Sequence, residues 1–259
     1  MLAVLEIIAF DAGKAILEVY HGTTEVSVKA DSSPVTQADE KAEEIILAGL
    51  AKAYPHIPVV AEESVAAGRV PDISEGRFFL VDPLDGTKEF INKRDDFTVN
   101  IALIEKGVPV AGIVYAPAKG VAYTGQAGKA EKLTIGADFA ITHREPIACR
   151  APSGELTAVA SRSHNSPETE AFLSEKGITS IKSVGSSLKF CLVAEGAADV
   201  YPRFGRTMEW DTAAGDAVLR AAGGITVDLD GNPFLYGKVK QASDSDFANG
   251  HFIAWNRLP

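Results

Sequence analysis

Cysteine is scarce in this 259-residue chain: Cys149 and Cys191 are the only two, far apart and without His or Cys neighbours at ligand spacing. That speaks against a disulfide framework and a zinc site, and predicts a reducing compartment in which both thiols pack as small apolar groups. Positive charge is in deficit too, with 25 Lys and Arg against 35 Asp and Glu, a net charge of −10 and a pI near 5.0. Such a chain is a poor non-specific nucleic-acid binder. It also has no basic stripe with interleaved aromatics, so no nucleic-acid polymer is expected as a partner. No apolar run approaches the length that crosses a bilayer, and no transmembrane segment is expected. The apolar opening, residues 1–20, lacks a basic leader and is interrupted by Glu6, Asp11 and Lys14 at helical spacing. It reads as an amphipathic helix closed by Gly22, not as a secretory signal. Cytoplasmic placement is the expectation, with peripheral membrane association left open.

Repeats and low-complexity tracts are absent as well. What is present, 46% hydrophobic and 23% charged residues, suits one large α/β domain or two intimately packed halves. Ala38, Ala42, Ile45, Ile46, Gly49 and Leu50 share one face of a helix expected at about 37–54. Pro55 and Pro58 bound a short strand ending near Glu62. RFFLV (77–81) is a buried strand running into DPLDGTKEF, FTVNIALIEKGVPVAGIVYAPA is a strand pair joined through Lys106-Gly107, and 121–124 is a third strand. A charged, irregular segment at about 128–152 is expected to separate two halves of a single domain, about 1–147 and 148–259. In the second half, TAVASR, SIKSVG, ADVYPRF, ITVDL and HFIAW read as strands. Helices are expected at 167–176, at 186–195 with Leu188, Cys191 and Leu192 on one face, and over WDTAAGDAVLRAAGG, which Gly223-Gly224 ends. Strands alternating with helices in both halves predict a layered α/β sandwich.

Acids stand where strands end and helices begin. Asp82 and Asp85 flank Pro83-Leu84 directly after RFFLV, with Gly86 permitting a tight turn. On such a turn two carboxylates converge with the Leu84 carbonyl between them, and oxygen-only ligation suits Mg²⁺. The N–H groups after Asp85 open a helix and offer an anion nest. Taken alone, the DxxD pair serves equally well as a helix cap. Glu62-Glu63 ends another apolar strand, however, and Asp211 starts a glycine-ended helix. One shared metal site is more economical than separate strand-end and cap roles for each. An acidic chain that handles phosphate also needs local positive charge, which metal ions would supply.

Four motifs, SPVTQAD (33–39), AEES (61–64), DPLDGTKEF (82–90) and WDTAAG (210–215), span most of the chain. In their residues and order the sequence resembles the inositol monophosphatase superfamily of lithium-sensitive, metal-dependent phosphatases. The resemblance implies an α/β/α/β/α sugar-phosphatase sandwich and two or three Mg²⁺ ions held by Glu62, Asp82, the Leu84 carbonyl, Asp85 and Asp211. It further implies that Asp39 and Thr87 orient the attacking water, activated by Mg²⁺, with Glu62 also at the catalytic centre.

Within the family the details look like a bacterial 3′(2′),5′-bisphosphate nucleotidase. Lys88 and Glu89 follow Thr87, Lys189 follows Ser186 in GSSLKF, and Arg203 in YPRFG precedes the last acid-bearing helix. By this resemblance Gly86, Thr87, Gly185, Ser186, Lys189, Arg203 and Asp211 contact substrate, and His164 in SRSH faces the base. Considered without it, Lys189 reads equally as a solvated helix residue, Arg203 as a salt-bridge partner and His164 as a solvated loop residue. Tyr201 and Phe204 read as packing residues. The expected partner is a small phosphorylated metabolite, adenosine 3′,5′-bisphosphate or its 5′-phosphosulfate form. Inositol monophosphatase activity is the alternative, and a role as a binding module is a second. Oligomeric state is left open.

Overall fold

A computed structural model describes residues 1–22, 26–28, 34–151, 154–160 and 166–257. Helix α1 (Leu2–His21) leads to a short hairpin, β1 (Val26–Val28) with β2 (Pro34–Thr36), and then to α2 (Gln37–Ala53). A reciprocal capping box starts α2: Ala38 N–H donates to Thr36 Oγ1 at 3.1 Å, and Thr36 N–H donates to Asp39 Oδ2 at 2.8 Å. Next come β3 (Val59–Ala61), α3 (Glu62–Ala66), β4 (Arg77–Asp85), α4 (Thr87–Ile91) and β5 (Thr98–Glu105). Strands β6 (Val108–Ala116), β7 (Val121–Gln126), β8 (Lys129–Ile135) and β9 (Ile141–Ile147) complete a seven-stranded sheet in sequential order from β3 to β9.

The remaining elements are β10 (Thr157–Ala160), α5 (Pro167–Glu175), β11 (Ser180–Ser183), α6 (Leu188–Ala194), β12 (Val200–Arg203), β13 (Thr207–Met208), α7 (Glu209–Ala221), β14 (Ile225–Val227), β15 (Ala248–Asn249) and β16 (Phe252–Trp255). Five of the strands form a second sheet, ordered β11-β10-β12-β16-β14, while β13 and β15 pair separately.

Strand periodicity accounts for the layering. Successive side chains of β4 point to opposite faces. Phe79 and Val81 pack with Leu5, Ile16, Ile46 and Leu50 of α1 and α2, while Phe78 and Leu80 pack with Phe190, Trp210 and Val218 of α6 and α7. The second sheet covers the other side of α6 and α7 through Val159, Tyr201 and Phe252, and Leu173 of α5 packs with Ala158 and Val200. The result is the expected α/β/α/β/α sandwich. Burial is two-sided from Phe78 to Val81, so FFLV is continuously apolar instead of alternating.

The segment at 128–152 differs from expectation: it contains β8 and β9 where an irregular linker was predicted. Strand β9 is the sheet edge and is exposed along almost its whole length. It therefore carries ITHREPI, charged and Pro-bearing, which protects an edge but shows no apolar alternation to read. Both cysteines are free, Cys191 buried and Cys149 half-buried, and burial pushes the Cys149 thiol up to about 11. No helix among the described residues is long and apolar enough to cross a membrane.

Helix α7 lies on the first sheet with almost no clearance. A Cβ built on Gly125 of β7 would come within 2.6 Å of Val218 Cα and 2.8 Å of the Ala217 carbonyl, and one on Gly112 within 2.9 Å of the Ala214 carbonyl. Gly125→Ala should therefore push the backbone of α7 off the sheet and destabilise the fold by about 1–3 kcal/mol, the usual cost of overpacking. Urea denaturation of variant and parent measures it, and equal midpoints would mean that the helix shifts freely.

Candidate active site

The first pair of acids sits in a strand irregularity, not in the expected turn. Strand β4 continues through Asp85, pairing Asp82 with Asn100 and Asp85 with Thr98, so the register shifts between them. In a regular strand, residues three apart point to opposite faces. One extra residue in β4 returns both carboxylates to the same side, and Pro83, which has no N–H to offer the ladder, is tolerated there. Neither acid caps a helix. The N-cap of α4 is Gly86, whose φ of 95° favours glycine and whose Cβ would meet the Asp96 carbonyl at 3.0 Å. Asp82 Oδ1 instead accepts from Leu84 N–H at 3.0 Å.

The other acids arrive by topology. Strand β3 is parallel to β4 with Ala61 opposite Val81, so Glu62 leaves its strand beside Asp82. Buried Glu43 of α2 accepts from Glu63 N–H at 2.8 Å and from the Ser64 hydroxyl at 2.7 Å, which fixes the start of α3. Asp211, in the first turn of α7, accepts from Met208 N–H at 2.8 Å.

These carboxylates feel one another. Burial, and then Glu62, Asp85, Asp211 and Asp39, hold the Asp82 carboxyl well above the usual range. Burial followed by Asp85 and Glu62 does the same to Asp211. Asp85 rises to about 6, chiefly by burial, with the Lys189 charge and the Ser187 N–H opposing the shift. As they stand, no three described Asp, Glu, His or Cys side chains close on one ion-sized point. The donor set nevertheless fits a hard dication: four carboxylates and the Leu84 carbonyl, all oxygen, with an electrostatic cost that positive charge would relieve.

Asp39 and Thr87 meet across α2 and α4. Asp39 Oδ2 accepts from the Thr36 N–H and from Thr36 Oγ1 at 2.7 Å, which leaves Oδ1 to accept from Thr87 Oγ1 at 3.1 Å. The Thr87 hydroxyl also lies 3.2 Å from the Leu84 carbonyl. Its single proton has two acceptors, and its lone pairs remain available to a water.

Asp85, Gly86 and Asp211 share a cleft of about 140 Å³ with Gly185, Ser186, Lys189 and Arg203. Lys189 is not a solvated helix residue: it is 7% exposed, donates to the Ser186 carbonyl at 2.6 Å and lies 5.5 Å from the Tyr201 ring centre. Burial lowers its pKa to about 8, although Asp85 works against that shift. Arg203 Nη2 donates to the Arg206 carbonyl at 3.3 Å, while its buried Nε and the buried Ser186 hydroxyl have no partner among the described residues. Ser186 also has a φ of 48°, unusual outside glycine. Gly185 lines the cleft, but its N–H is committed to Asp96 Oδ2 at 3.2 Å, and a Cβ there would sit 2.8 Å from the Asp96 carbonyl. His164 and Ser33 lie outside the described residues. Tyr201 packs edge-on against Phe190 and Phe252, and Phe204 packs near Phe172.

Sequence reasoning missed Glu43, Asn100 and Ser187. Glu43 left a signal, a carboxylate four residues after Asp39 on the core-facing side of α2. For Asn100 and Ser187 there was none, since a polar residue inside an apolar strand and the second serine of a pair look like ordinary sheet and cap chemistry.

The sequence matches the profile described as "Inositol monophosphatase family" over residues 1–253. The chain belongs to the inositol monophosphatase family. The family is one of metal-dependent phosphatases. The chain is 48% identical over 231 residues to the 3′(2′),5′-bisphosphate nucleotidase CysQ of Escherichia coli K12, covering 88% of this chain and 91% of that protein. Its fold matches the crystal structure of CysQ from Bacteroides thetaiotaomicron with a TM-score of 0.80 and 38% identity, over 99% of this chain and 97% of the other. The inositol monophosphatase from Anabaena (Nostoc) sp. PCC 7120 aligns with a TM-score of 0.73 at 25% identity, over 99% and 90% of the two chains.

Proposed function

We propose that this protein is a Mg²⁺-dependent phosphomonoesterase that removes the 3′-phosphate of adenosine 3′,5′-bisphosphate and accepts the corresponding 5′-phosphosulfate. One observation carries the reading: Asp85 and Asp211 line a single cleft with the Ser186 and Arg203 donors, whose buried Oγ and Nε atoms have no partner among the described residues. A phosphate monoester needs the first group and a second, uncleaved anionic group needs the second. The identity level points the same way, 48% to a bisphosphate nucleotidase against 25% to an inositol monophosphatase.

We assign Glu62, Asp82, the Leu84 carbonyl, Asp85 and Asp211 as the groups that hold two or three Mg²⁺ ions. When bound, such ions supply charge neutralisation and Lewis acidity towards the phosphoryl group. The chain's own residues do the rest. Asp39 accepts the Thr87 proton, so the Thr87 oxygen accepts from the attacking water and aims its lone pair at phosphorus. Water oxygen bonds to phosphorus as the bond to the 3′ oxygen breaks, and a water proton ends on the released hydroxyl. No covalent phosphoenzyme forms. Lys189 and Arg203 hold the 5′ group by charge-assisted hydrogen bonds, the guanidinium through two parallel N–H bonds. Gly86, Gly185 and Ser186 shape that pocket, and His164 contributes a contact to the base.

Phosphate release from adenosine 3′,5′-bisphosphate and from inositol 1-phosphate, each with Mg²⁺ or with excess chelator, tests the reading. The nucleotide should be the faster substrate and chelator should abolish both rates. Faster turnover of inositol 1-phosphate, or full activity in chelator, would overturn it. Arg203→Ala should cost about 1.5–3 kcal/mol on the bisphosphate, the usual value of a hydrogen bond to a charged group, and little on inositol 1-phosphate. Arg203→Lys should recover only part, because an ammonium is a point charge. Equal losses on the two substrates would make Arg203 structural.

A further inference from the structure

Ser187 stands at the N-cap of α6, where a serine hydroxyl ordinarily accepts from its own helix, yet it makes no such bond. Its hydroxyl is engaged elsewhere. Asn100 Nδ2 donates to Ser187 Oγ at 3.0 Å, and Ser187 Oγ donates to the Asp211 carbonyl at 2.5 Å. Ser187 lines the same cleft as Asp85 and Asp211. The bridge is sealed from water, with Ser187 2% and Asn100 0% exposed. Asn100 is itself the β5 partner of Asp82 at the edge of the bulge. One serine thus ties the backbone of the acid on α7 to Asn100, on the strand that pairs with Asp82 of β4.

We propose that Ser187, braced by Asn100, is a positioning residue that fixes Asp82 and Asp211 relative to each other for cation binding. This rests on the assignment of those acids as metal ligands. The physical reason is that the two acids repel, and they belong to elements more than a hundred residues apart in the chain. Without a neutral tie between them the elements would relax outwards, and a cation would have to draw them back at the expense of its affinity.

Mn²⁺ titrated calorimetrically into the metal-free full-length protein reads this directly, without turnover. Ser187→Ala should raise the Mn²⁺ Kd on the order of 10-fold, the lower end of what removing a group that orients a metal ligand does. Asn100→Ala reads the same bridge from its other end and should do likewise. The double variant should lose no more than the worse single one, because both act through one bridge. Ser187→Thr, which keeps the hydroxyl, should regain most of the affinity. Thr226→Val is the comparison: it removes an equally buried hydroxyl, 2.7 Å from Asp216, and should lower Tm without moving the Mn²⁺ Kd. Additive losses, an unchanged Kd in Ser187→Ala, or a Kd that shifts equally in Thr226→Val would overturn the proposal. A parent protein that takes up no Mn²⁺ would overturn the metal assignment and this inference with it, whereas normal parental binding matched by Ser187→Ala overturns the tie alone.

Discussion

Asp82→Asn should nearly abolish turnover and at the same time make the metal-free protein more resistant to heat. Asp82 is 2% exposed and surrounded by Glu62, Asp85, Asp211 and Asp39, which together with burial hold its carboxyl well above the usual range. An acid whose folded-state pKa is raised binds more protons folded than unfolded. The metal-free protein therefore loses stability as pH rises from the ordinary carboxylate range through the raised value. Asparagine removes that penalty while keeping the oxygen that accepts from Leu84 N–H. The gain in Tm should be a few degrees, at roughly 2–4 °C per kcal/mol for a chain of this size, and largest near neutral pH. Activity falls because an amide cannot supply the charge that the proposed site offers to Mg²⁺. Scanning calorimetry in chelator, beside phosphate release in Mg²⁺, decides it. A lower Tm would mean that Asp82 stabilises the fold, and retained turnover would remove it from the site. The opposite signs of the two effects mark a functional residue held against the interest of stability.

Thr87→Ala should lower kcat by roughly 10²–10⁴-fold, the range for losing a group that positions or deprotonates a nucleophile. KM should change little, because the hydroxyl faces Asp39 and the Leu84 carbonyl and not a distant part of the substrate. Thr87→Ser should restore most of the rate, as it keeps the oxygen on a helix start already held by Gly86. A kcat within a few-fold of the parent would rule out the role. A KM increase matching the loss in kcat/KM would turn Thr87 into a binding residue. Asp39→Asn should resemble Thr87→Ala with an added stability loss, since Asp39 Oδ2 also closes the capping box of α2.

Local chemistry was legible in the amino-acid order. The period of α2, the apolar runs of RFFLV and FTVNIALIE, and the acids that follow them could be read directly, because helix face, strand burial and strand end each leave a short-range pattern. Those patterns, with four motifs in sequence, pointed to the family and to Asp39, Glu62, Asp82, Asp85, Thr87 and Asp211. Strands β8 and β9 were not legible, because an exposed sheet edge carries charge and proline and mimics a linker. Tertiary structure alone decided that DPLD is a bulged strand instead of a turn, since a bulge is defined by the register of its partner β5. It also decided that Lys189 is buried and that Glu43, Asn100 and Ser187 brace the acids. The hydrogen bonds of Glu43, Asn100 and Ser187 join residues 20 to 87 positions apart in the sequence, where a hydrogen bond leaves no periodic trace. Sequence named the groups that carry the charge; long-range pairing set their distances, because only packing brings the acids of β4, α3 and α7 within electrostatic reach of one another.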